Sequence, residues 1–351
     1  MMNSTTNDIK TMIGQMIIVG LRGTSPDDAK YFFKSLNGLT IGGVIHYDQN
    51  VTTSPPSSHN ILSPEQVKDF NEALQSFSPT PLLIGIDEEG GQVNRLKEKY
   101  GFPQSNSWAK LGLLNDIVET QSCATRMAFT LSKYGFNLNF APVLDLSVNP
   151  DSFIAKKERC FSNDPKNIAI HSEIFMKAHL DENVVPVCKH FPGQGSAGGD
   201  THVGIADVTE TWSETELIPY QTLIDNDCIP AIMTSHLFHQ RMDPELPATL
   251  SSKILTNLLR NKMGFEGVII SDDPQMGAIA NHYDLKTIIR LMIRAGVDIF
   301  CFGNNLVFDP DIVQKVHSIT LELLDERDIT SNQIKKSFNR IVDLKTKIGL
   351  V

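Results

Sequence analysis

Short apolar runs rich in β-branched residues recur along the chain. Most of them are followed by a polar loop and then by a longer segment in which apolar residues repeat with the helical period. The runs occupy residues 16–21, 42–47, 81–87, 136–143, 184–190, 228–236, 267–273 and 297–303. Because runs that are apolar almost throughout are typical of strands buried on both faces, we predict eight strands of a parallel sheet.

Helical segments are predicted between these strands. The clearest has Ser63 as its N-cap, Pro64 as its first helical residue and Gln66 completing a capping box. Further helices are predicted at 121–135, 167–183, 213–226, 250–264, 285–296, 309–326 and 330–348. The segment 52–60 is predicted to be a loop, and we find no linker or internal repeat that would divide the chain.

The alternation of strands and helices predicts the architecture. Such an order requires parallel pairing with right-handed crossovers, and eight units close most naturally into a barrel. The chain has 351 residues, which is enough for one barrel with added loops. We therefore predict an α/β fold, a TIM-like (β/α)8 barrel that forms a single domain over residues 1–351. A doubly wound open sheet is the structural alternative.

Composition narrows the function classes. The chain is 41% hydrophobic and 21% charged, as in ordinary globular proteins. Its net charge of -10 offers no basic stripe for phosphates, so no nucleic-acid partner is expected. We recognise neither a secretory signal nor a membrane span. The five cysteines lie far apart without a CxxC pair, and we expect reduced, mostly buried thiols in a cytoplasmic protein that is a monomer or weak dimer.

Two neighbouring carboxylates end the seventh strand. In a barrel, reactive side chains lie at the carboxyl ends of strands and in the loops that follow. Asp272 and Asp273 occupy such a position, so one of them is a candidate nucleophile or electrostatic stabiliser. Their alternative role is to cap a helix N-terminus, and we assign the structural role to Asp273.

A glycine-rich loop after the fifth strand contains Asp200 and His202. A carboxylate two residues before an imidazole can orient the ring and raise its basicity, so His202 is a candidate acid/base group. A loop hydrogen bond is the alternative. Three glycines of this loop fit GxGxxG, but helical periodicity resumes only near residue 213, so we predict neither a nucleotide site nor any other cofactor.

Other charged residues follow the third, fourth and fifth strands. Lys189 and His190 end an otherwise apolar strand, where a buried cation is costly unless it is paired or bound to a ligand. Asp87 and Arg95 lie on the loop after the third strand and could bind sugar hydroxyls. Structural ion pairs are the alternative for both pairs. Arg159 lies in a polar loop after the fourth strand.

Five sequence blocks together resemble a known family. The blocks are KHFPGQGSAGGDTH, IDEEGGQVNR, FAPVLDLSVNP, ERCFSNDP and GVIISDDPQMGAI. They resemble blocks of the single-barrel β-N-acetylglucosaminidases of glycoside hydrolase family 3, and they occur along this chain in the same order as in that family. The sequence departs from that family at Gln194, where a second His is usual, at Gln92, where an Arg is common, and at Pro274, where Leu or Ala is usual.

The resemblance implies a function and a set of site residues. It makes Asp272 the nucleophile and His202 the acid/base group oriented by Asp200. Its sugar-binding positions fall on Asp87, Arg95, Arg159, Lys189 and His190. It implies a retaining exo-β-N-acetylglucosaminidase that needs no metal and releases terminal β-linked N-acetylglucosamine, with cell-wall recycling fragments that carry an anhydro-muramic acid sugar as the expected substrate.

Two other functions stay open at this point. One is a metal-dependent barrel hydrolase that uses His190, Asp200, His202, His236 and Asp272. Against it, the first strand lacks the HxH that barrel metal sites usually show there. The other is a barrel that binds sugar without catalysis. The residues also leave open the choice between N-acetylglucosamine and N-acetylgalactosamine, the aglycone, and whether water or phosphate completes the reaction.

Overall fold

Eight parallel strands form the centre of the computed structural model, which describes residues 2–198, 204 and 206–351 and the side chains from residue 9 onward. Each strand lies within one of the predicted apolar runs or overlaps it to within one residue. The strands are β1 (Ile17–Gly20), β2 (Gly43–His46), β3 (Leu83–Ile86), β4 (Leu138–Asn139), β5 (Val185–Phe191), β6 (Ala231–Thr234), β7 (Val268–Ile270) and β8 (Phe300–Phe302).

The strand order closes the sheet into a barrel. Neighbours along the chain pair in parallel from β1 to β7, and β8 pairs with the free side of β1. A parallel bridge between Ile270 and Ile299 joins β7 to the start of β8. The structure therefore confirms the TIM-like barrel, and the doubly wound open sheet is wrong because its two edge strands would stay apart.

Helices surround the barrel, and all the predicted helical segments contain one. The α-helices are Met2–Gln15, Pro26–Ser35, Pro64–Phe77, Trp108–Leu114, Ile117–Lys133, Phe153–Lys156, Pro165–Asp181, Ile218–Asp225, Gly277–Ala280, Leu285–Ala295, Ile312–Asp325 and Ser331–Lys347. Short 3-10 helices occupy Glu98–Tyr100, Glu214–Leu217 and Ala248–Leu250, and Lys253–Lys262 is a helix of π type.

Two local predictions need correction. Ser63 caps its helix as predicted, accepting a hydrogen bond from the Gln66 N–H at 3.2 Å. The Gln66 side chain, however, reaches one residue further back and accepts from the Leu62 N–H at 2.8 Å, so no capping box forms there. The segment 52–60 is not a loop throughout, because Ser57–Ser58 pairs antiparallel with Gln49–Asn50.

The core lies inside the barrel and between the barrel and its helices. All eight strands are fully buried, as their continuous apolar runs predict. The five cysteines are unpaired; Cys228 is half-buried and the other four are buried, as expected. In the part of the chain that the structure describes, no helix combines the length and hydropathy that crossing a bilayer requires.

Candidate active site

A cavity of about 420 Å³ opens at the carboxyl ends of the strands. Its size is within the usual range of small-molecule sites. Six of the eight predicted site residues line it, namely Asp87, Arg95, Arg159, Lys189, His190 and Asp272. Asp200 and His202 lie outside the described residues. The structure therefore brings together, at one cavity, the six described residues that follow strands 3, 4, 5 and 7.

Asp87 follows β3 and binds two cations. Its Oδ1 lies 2.7 Å from Lys189 Nζ, and its Oδ2 lies 3.4 Å from Arg95 Nη2. Burial by itself would raise the pKa of Asp87, but the charges of Lys189 and Arg95 hold that pKa well below its usual range. Asp87 is therefore an ionised acceptor at the cavity wall.

Glu89 is a second buried carboxylate of the cavity, and the sequence prediction missed it. Arg159 donates two hydrogen bonds to it, from Nε to Oε2 and from Nη2 to Oε1, both at 2.8 Å. Lys189 Nζ lies 2.6 Å from the same Oε1. Burial opposes ionisation, but Arg159 and Lys189 lower the pKa of Glu89 to about 2. This bidentate geometry fixes the plane of the guanidinium.

Lys189 lies between the two carboxylates. Its side chain is 2% exposed, and its burial would lower its pKa, but Asp87 and Glu89 raise the pKa above the ordinary lysine value. The residue is therefore a permanent cation. The structural ion pair that the sequence left as an alternative is present, and it lies on the cavity wall, where the ammonium can also donate to a bound hydroxyl.

His190 is held in one tautomer by its two neighbours. Its Nδ1 lies 2.6 Å from Asp145 Oδ2, and its Nε2 lies 3.1 Å from Arg159 Nη2. Because the guanidinium can only donate, Nε2 accepts and Nδ1 carries the proton. Asp145 also accepts from the His190 N–H at 3.2 Å. These contacts orient the imidazole rigidly at the cavity wall.

Asp272 and Asp273 both line the cavity but differ in their hydrogen bonds. Asp272 Oδ1 accepts from the Asp273 N–H at 2.8 Å. Asp273 Oδ1 accepts from the Gln275 N–H at 2.9 Å, and the next helix begins only after Met276. Asp273 therefore stabilises a turn, and the helix-cap role suggested by the sequence is wrong in detail because the turn intervenes.

Alternation along the chain after β3 explains which acidic residues reach the cavity. Asp87 and Glu89 line it, whereas Glu88 is not among its lining residues and accepts from the Arg95 and Leu96 N–H groups at 3.0 and 3.1 Å. In extended chain, residues two apart share a face. That rule, applied to the block IDEEGG, could have added Glu89. Asp145 had a weaker signal, because it is a single acidic residue within the otherwise apolar segment FAPVLDL.

Two of the residues named for the metal alternative, His190 and His236, have both ring nitrogens engaged in hydrogen bonds. Within residues 2–198, 204 and 206–351, no group of three or more His, Cys, Asp or Glu side chains is arranged to hold a metal ion. His190 uses both ring nitrogens as described above. His236 also uses both, with Nδ1 2.8 Å from Thr249 Oγ1 and Nε2 2.9 Å from the Asp273 carbonyl oxygen.

The arrangement combines Asp272, which has no ion pair among the described residues, with a group of ion-paired side chains on the cavity wall. Among the described residues Asp272 forms no ion pair, whereas Asp87 and Glu89 are neutralised by three cations. A carboxylate at a barrel mouth can attack an electrophilic carbon or stabilise positive charge. The paired groups can donate to and accept from several hydroxyls of one sugar ring. This division of roles suits glycosyl transfer.

The sequence matches the family model "Glycosyl hydrolase family 3 N terminal domain" over residues 8–344. A β-hexosaminidase of Alkalilimnicola ehrlichii is 32% identical over 274 residues, which are 76% of this chain and 74% of that protein. A protein of Arthroderma benhamiae described as an uncharacterized secreted glycosyl hydrolase is 28% identical, with 97% of this chain and 94% of that protein covered.

A solved structure supports the same relationship. The glycoside hydrolase family 3 β-N-acetylglucosaminidase from Paenibacillus sp. str. FPU-7 superposes with a TM-score of 0.87 and 27% sequence identity. The superposition covers 97% of this chain but 62% of that one, so this chain spans less than two thirds of the Paenibacillus protein.

Proposed function

Because this chain belongs to glycosyl hydrolase family 3 and is therefore a glycoside hydrolase, we propose that it is a retaining exo-β-N-acetylglucosaminidase. The observation that carries the proposal is the arrangement of Asp272 beside the ion-paired wall formed by Asp87, Glu89, Lys189 and Arg159. The β-hexosaminidase relatives and the β-N-acetylglucosaminidase structure support the choice of an N-acetylated sugar.

The proposed reaction has two steps. Asp272 attacks the anomeric carbon and forms a glycosyl ester, while His202, oriented by Asp200, protonates the departing oxygen. His202 then removes a proton from water, which attacks the ester and releases the sugar with its original anomeric configuration. Asp87, Arg95, Arg159 and Lys189 hold the hydroxyls of the terminal sugar, and His190, whose ring nitrogens contact Asp145 and Arg159, orients Arg159 at the cavity wall.

The proposal also covers the aglycone, which is the group released from the terminal sugar. We propose fragments of the bacterial cell wall that carry a muramic acid carboxylate. Lys157 lines the cavity, is exposed, and has no ion-pair partner among the described residues. The cavity cations Arg95, Arg159 and Lys189 are all committed to carboxylates. Lys157 is thus the cation suited to an acidic aglycone.

We also propose the domain organisation, the oligomeric state and the location of the protein. The chain would act as a single domain over residues 1–351, as a monomer or weak dimer, and the Arthroderma relative of similar length supports the single domain. A cytoplasmic location agrees with the five unpaired cysteines. The Arthroderma relative, however, is described as secreted, so it does not support a cytoplasmic location.

The test compares two chromogenic substrates that differ only at C2, a β-N-acetylglucosaminide and a β-glucoside. We expect strong preference for the N-acetyl sugar and a loss of at least about 10³-fold in kcat for Asp272→Asn, which keeps the side-chain shape but removes the nucleophile. Asp325→Asn, at a helix end outside the cavity, is the control and should retain wild-type rates.

Each result bears on a separate part of the proposal. Preference for the glucoside would reject the N-acetyl sugar and keep the nucleophile, provided that Asp272→Asn is inactive. Retained activity in Asp272→Asn would reject the nucleophile. Absence of turnover on both substrates would favour the sugar-binding barrel without catalysis.

A further inference from the structure

The segment that leaves β5 is buried although it is rich in glycine. Gln194 and Ser196 are 5% and 3% exposed. A Cβ on Gly195 would lie 1.9 Å from the Leu146 carbonyl oxygen, so the backbone packs directly against the chain that follows β4. Trp212 Nε1 donates to the Pro192 carbonyl oxygen at 3.2 Å. The start of this loop is therefore fixed in place by its surroundings.

Two buried carboxylates bind the N–H groups of this segment from different elements. Asp145 Oδ1 accepts from the Gln194 N–H at 2.7 Å, as part of the arrangement that orients His190. Glu216 Oε2 accepts from the Gly195 N–H at 2.9 Å. Gly193 permits this approach: its φ is +115°, and a Cβ there would come 2.6 Å from the Glu216 Cβ.

Glu216 is buried without a compensating cation. It lies in the 3-10 helix Glu214–Leu217 and is 1% exposed. Among the described residues it forms no ion pair, and burial raises its pKa to about 7 although the Gly195 N–H donates to its Oε2. A buried carboxylate of this kind costs stability. Some structural benefit must offset this cost, and the hydrogen bond that Glu216 accepts from the Gly195 N–H supplies one.

We propose that Glu216 is a positioning residue for the acid/base step, a role that rests on His202 being the acid/base group as proposed above. The chain passes from Ser196 to Asp200 in four residues and reaches His202 two residues later. Gln194, inside the anchored segment, lines the same cavity as Asp272. Fixing the backbone up to Ser196 leaves fewer residues whose conformation must be set for the acid/base step, which lowers the entropy lost in that step.

The leaving group distinguishes this role from a purely structural one. A phenyl glycoside needs its oxygen protonated as the bond breaks, whereas a 2,4-dinitrophenyl glycoside leaves without a proton. We expect Glu216→Leu to lower kcat/KM on the phenyl N-acetylglucosaminide by roughly 10- to 100-fold and on the dinitrophenyl substrate by less than about threefold. Glu216→Gln keeps an oxygen that can accept from Gly195 and should recover most of the loss.

Three further variants make the result decisive. His202→Ala should show the same leaving-group dependence more strongly, and the exposed Glu214→Gln, in the same short helix, should match the wild type. If Glu216→Leu does not fold, Glu216→Asp withdraws the carboxylate by one methylene and should show the same trend at a smaller size.

The outcomes separate the two claims. Equal losses on both substrates in the Glu216 variants, or no loss, would overturn the role of Glu216 while the leaving-group dependence of His202→Ala upheld the proposed acid/base group. If His202→Ala itself showed no leaving-group dependence, the acid/base assignment would be wrong, and the role of Glu216 would fall with it.

Discussion

At the scale of single residues, Lys157 distinguishes acidic from neutral aglycones. It lines the cavity and is exposed, so its attraction to a carboxylate is worth about 0.2 to 1 kcal/mol. We expect Lys157→Gln to raise KM for a disaccharide with an acidic aglycone by roughly two- to fivefold and to leave kcat unchanged. Steady-state kinetics at low and high salt measures this, because screening should reduce the effect.

The neighbouring Lys156 provides the matched control. It is equally charged and exposed, but it pairs with Asp151 at 3.2 Å and does not line the cavity. Lys156→Gln should leave KM unchanged for both kinds of substrate. A similar rise in KM for acidic and neutral aglycones in Lys157→Gln would contradict the assignment of Lys157 to the aglycone carboxylate.

At the scale of elements, the hairpin after β3, in which Glu88–Gly90 pairs antiparallel with Val93–Asn94, makes stability depend on pH. Burial raises the pKa of Glu88 from 4.5 to about 8, although the Leu96 and Arg95 N–H groups oppose this shift. Folding therefore takes up a proton between these values. The stabilisation is fully present below pH 4.5 and is lost as the pH rises through 8. We expect the free energy of unfolding to decrease over this interval.

The variant Glu88→Gln isolates this contribution. It imitates the protonated carboxyl, so it should resemble the wild type near pH 5 and be more stable than the wild type at pH 8. Urea unfolding at several pH values measures how the free energy of unfolding depends on pH. Part of this dependence should remain in Glu88→Gln, because the pKa of Glu216 is also raised, to about 7. The exposed Glu98→Gln is the control. If the free energy of unfolding of Glu88→Gln depended on pH as in the wild type, the assignment of this dependence to Glu88 would be wrong.

The elements also show what the sequence could and could not predict. Continuous apolar runs identified all eight strands, because strands buried on both faces have little freedom in composition. Glu89 was missed because side-chain direction depends on where β3 ends, and the run 81–87 extends one residue beyond Ile86. Glu216 had no signal of its own, since its function depends on contact with Gly195, which is distant along the chain.

At the scale of the whole molecule, Lys345 joins the last helix to the floor of the barrel. Its Nζ donates to Gln15 Oε1 at 2.6 Å, to the Gly42 carbonyl oxygen at 3.0 Å and to the Pro81 carbonyl oxygen at 2.5 Å. These acceptors precede β1, β2 and β3, at the end of the barrel opposite the cavity. Lys345 is 1% exposed, so these three hydrogen bonds are shielded from water.

Replacing this lysine should affect stability and spare catalysis. Lys345→Met leaves three buried acceptors with fewer partners, and we expect a loss of about 2 to 4 kcal/mol in the free energy of unfolding. At 25 °C, kcat/KM of the folded enzyme should stay within about twofold of the wild type. Denaturant unfolding and activity assays measure the two effects. Lys336→Met, exposed on the same helix, is the control, and a loss in Lys345→Met no larger than in that control would contradict the role of Lys345.

The proposed catalytic cycle depends on Asp272 forming a covalent bond to the sugar. A 5-fluoro N-acetylglucosaminyl fluoride with the β configuration slows both steps but keeps a good leaving group, so the glycosyl ester should accumulate. Mass spectrometry of the digested protein should then find the added sugar on the peptide that contains Asp272. A sugar bound to another carboxylate, such as Asp87, or an inactivated enzyme without any bound sugar would contradict the role of Asp272 as the nucleophile.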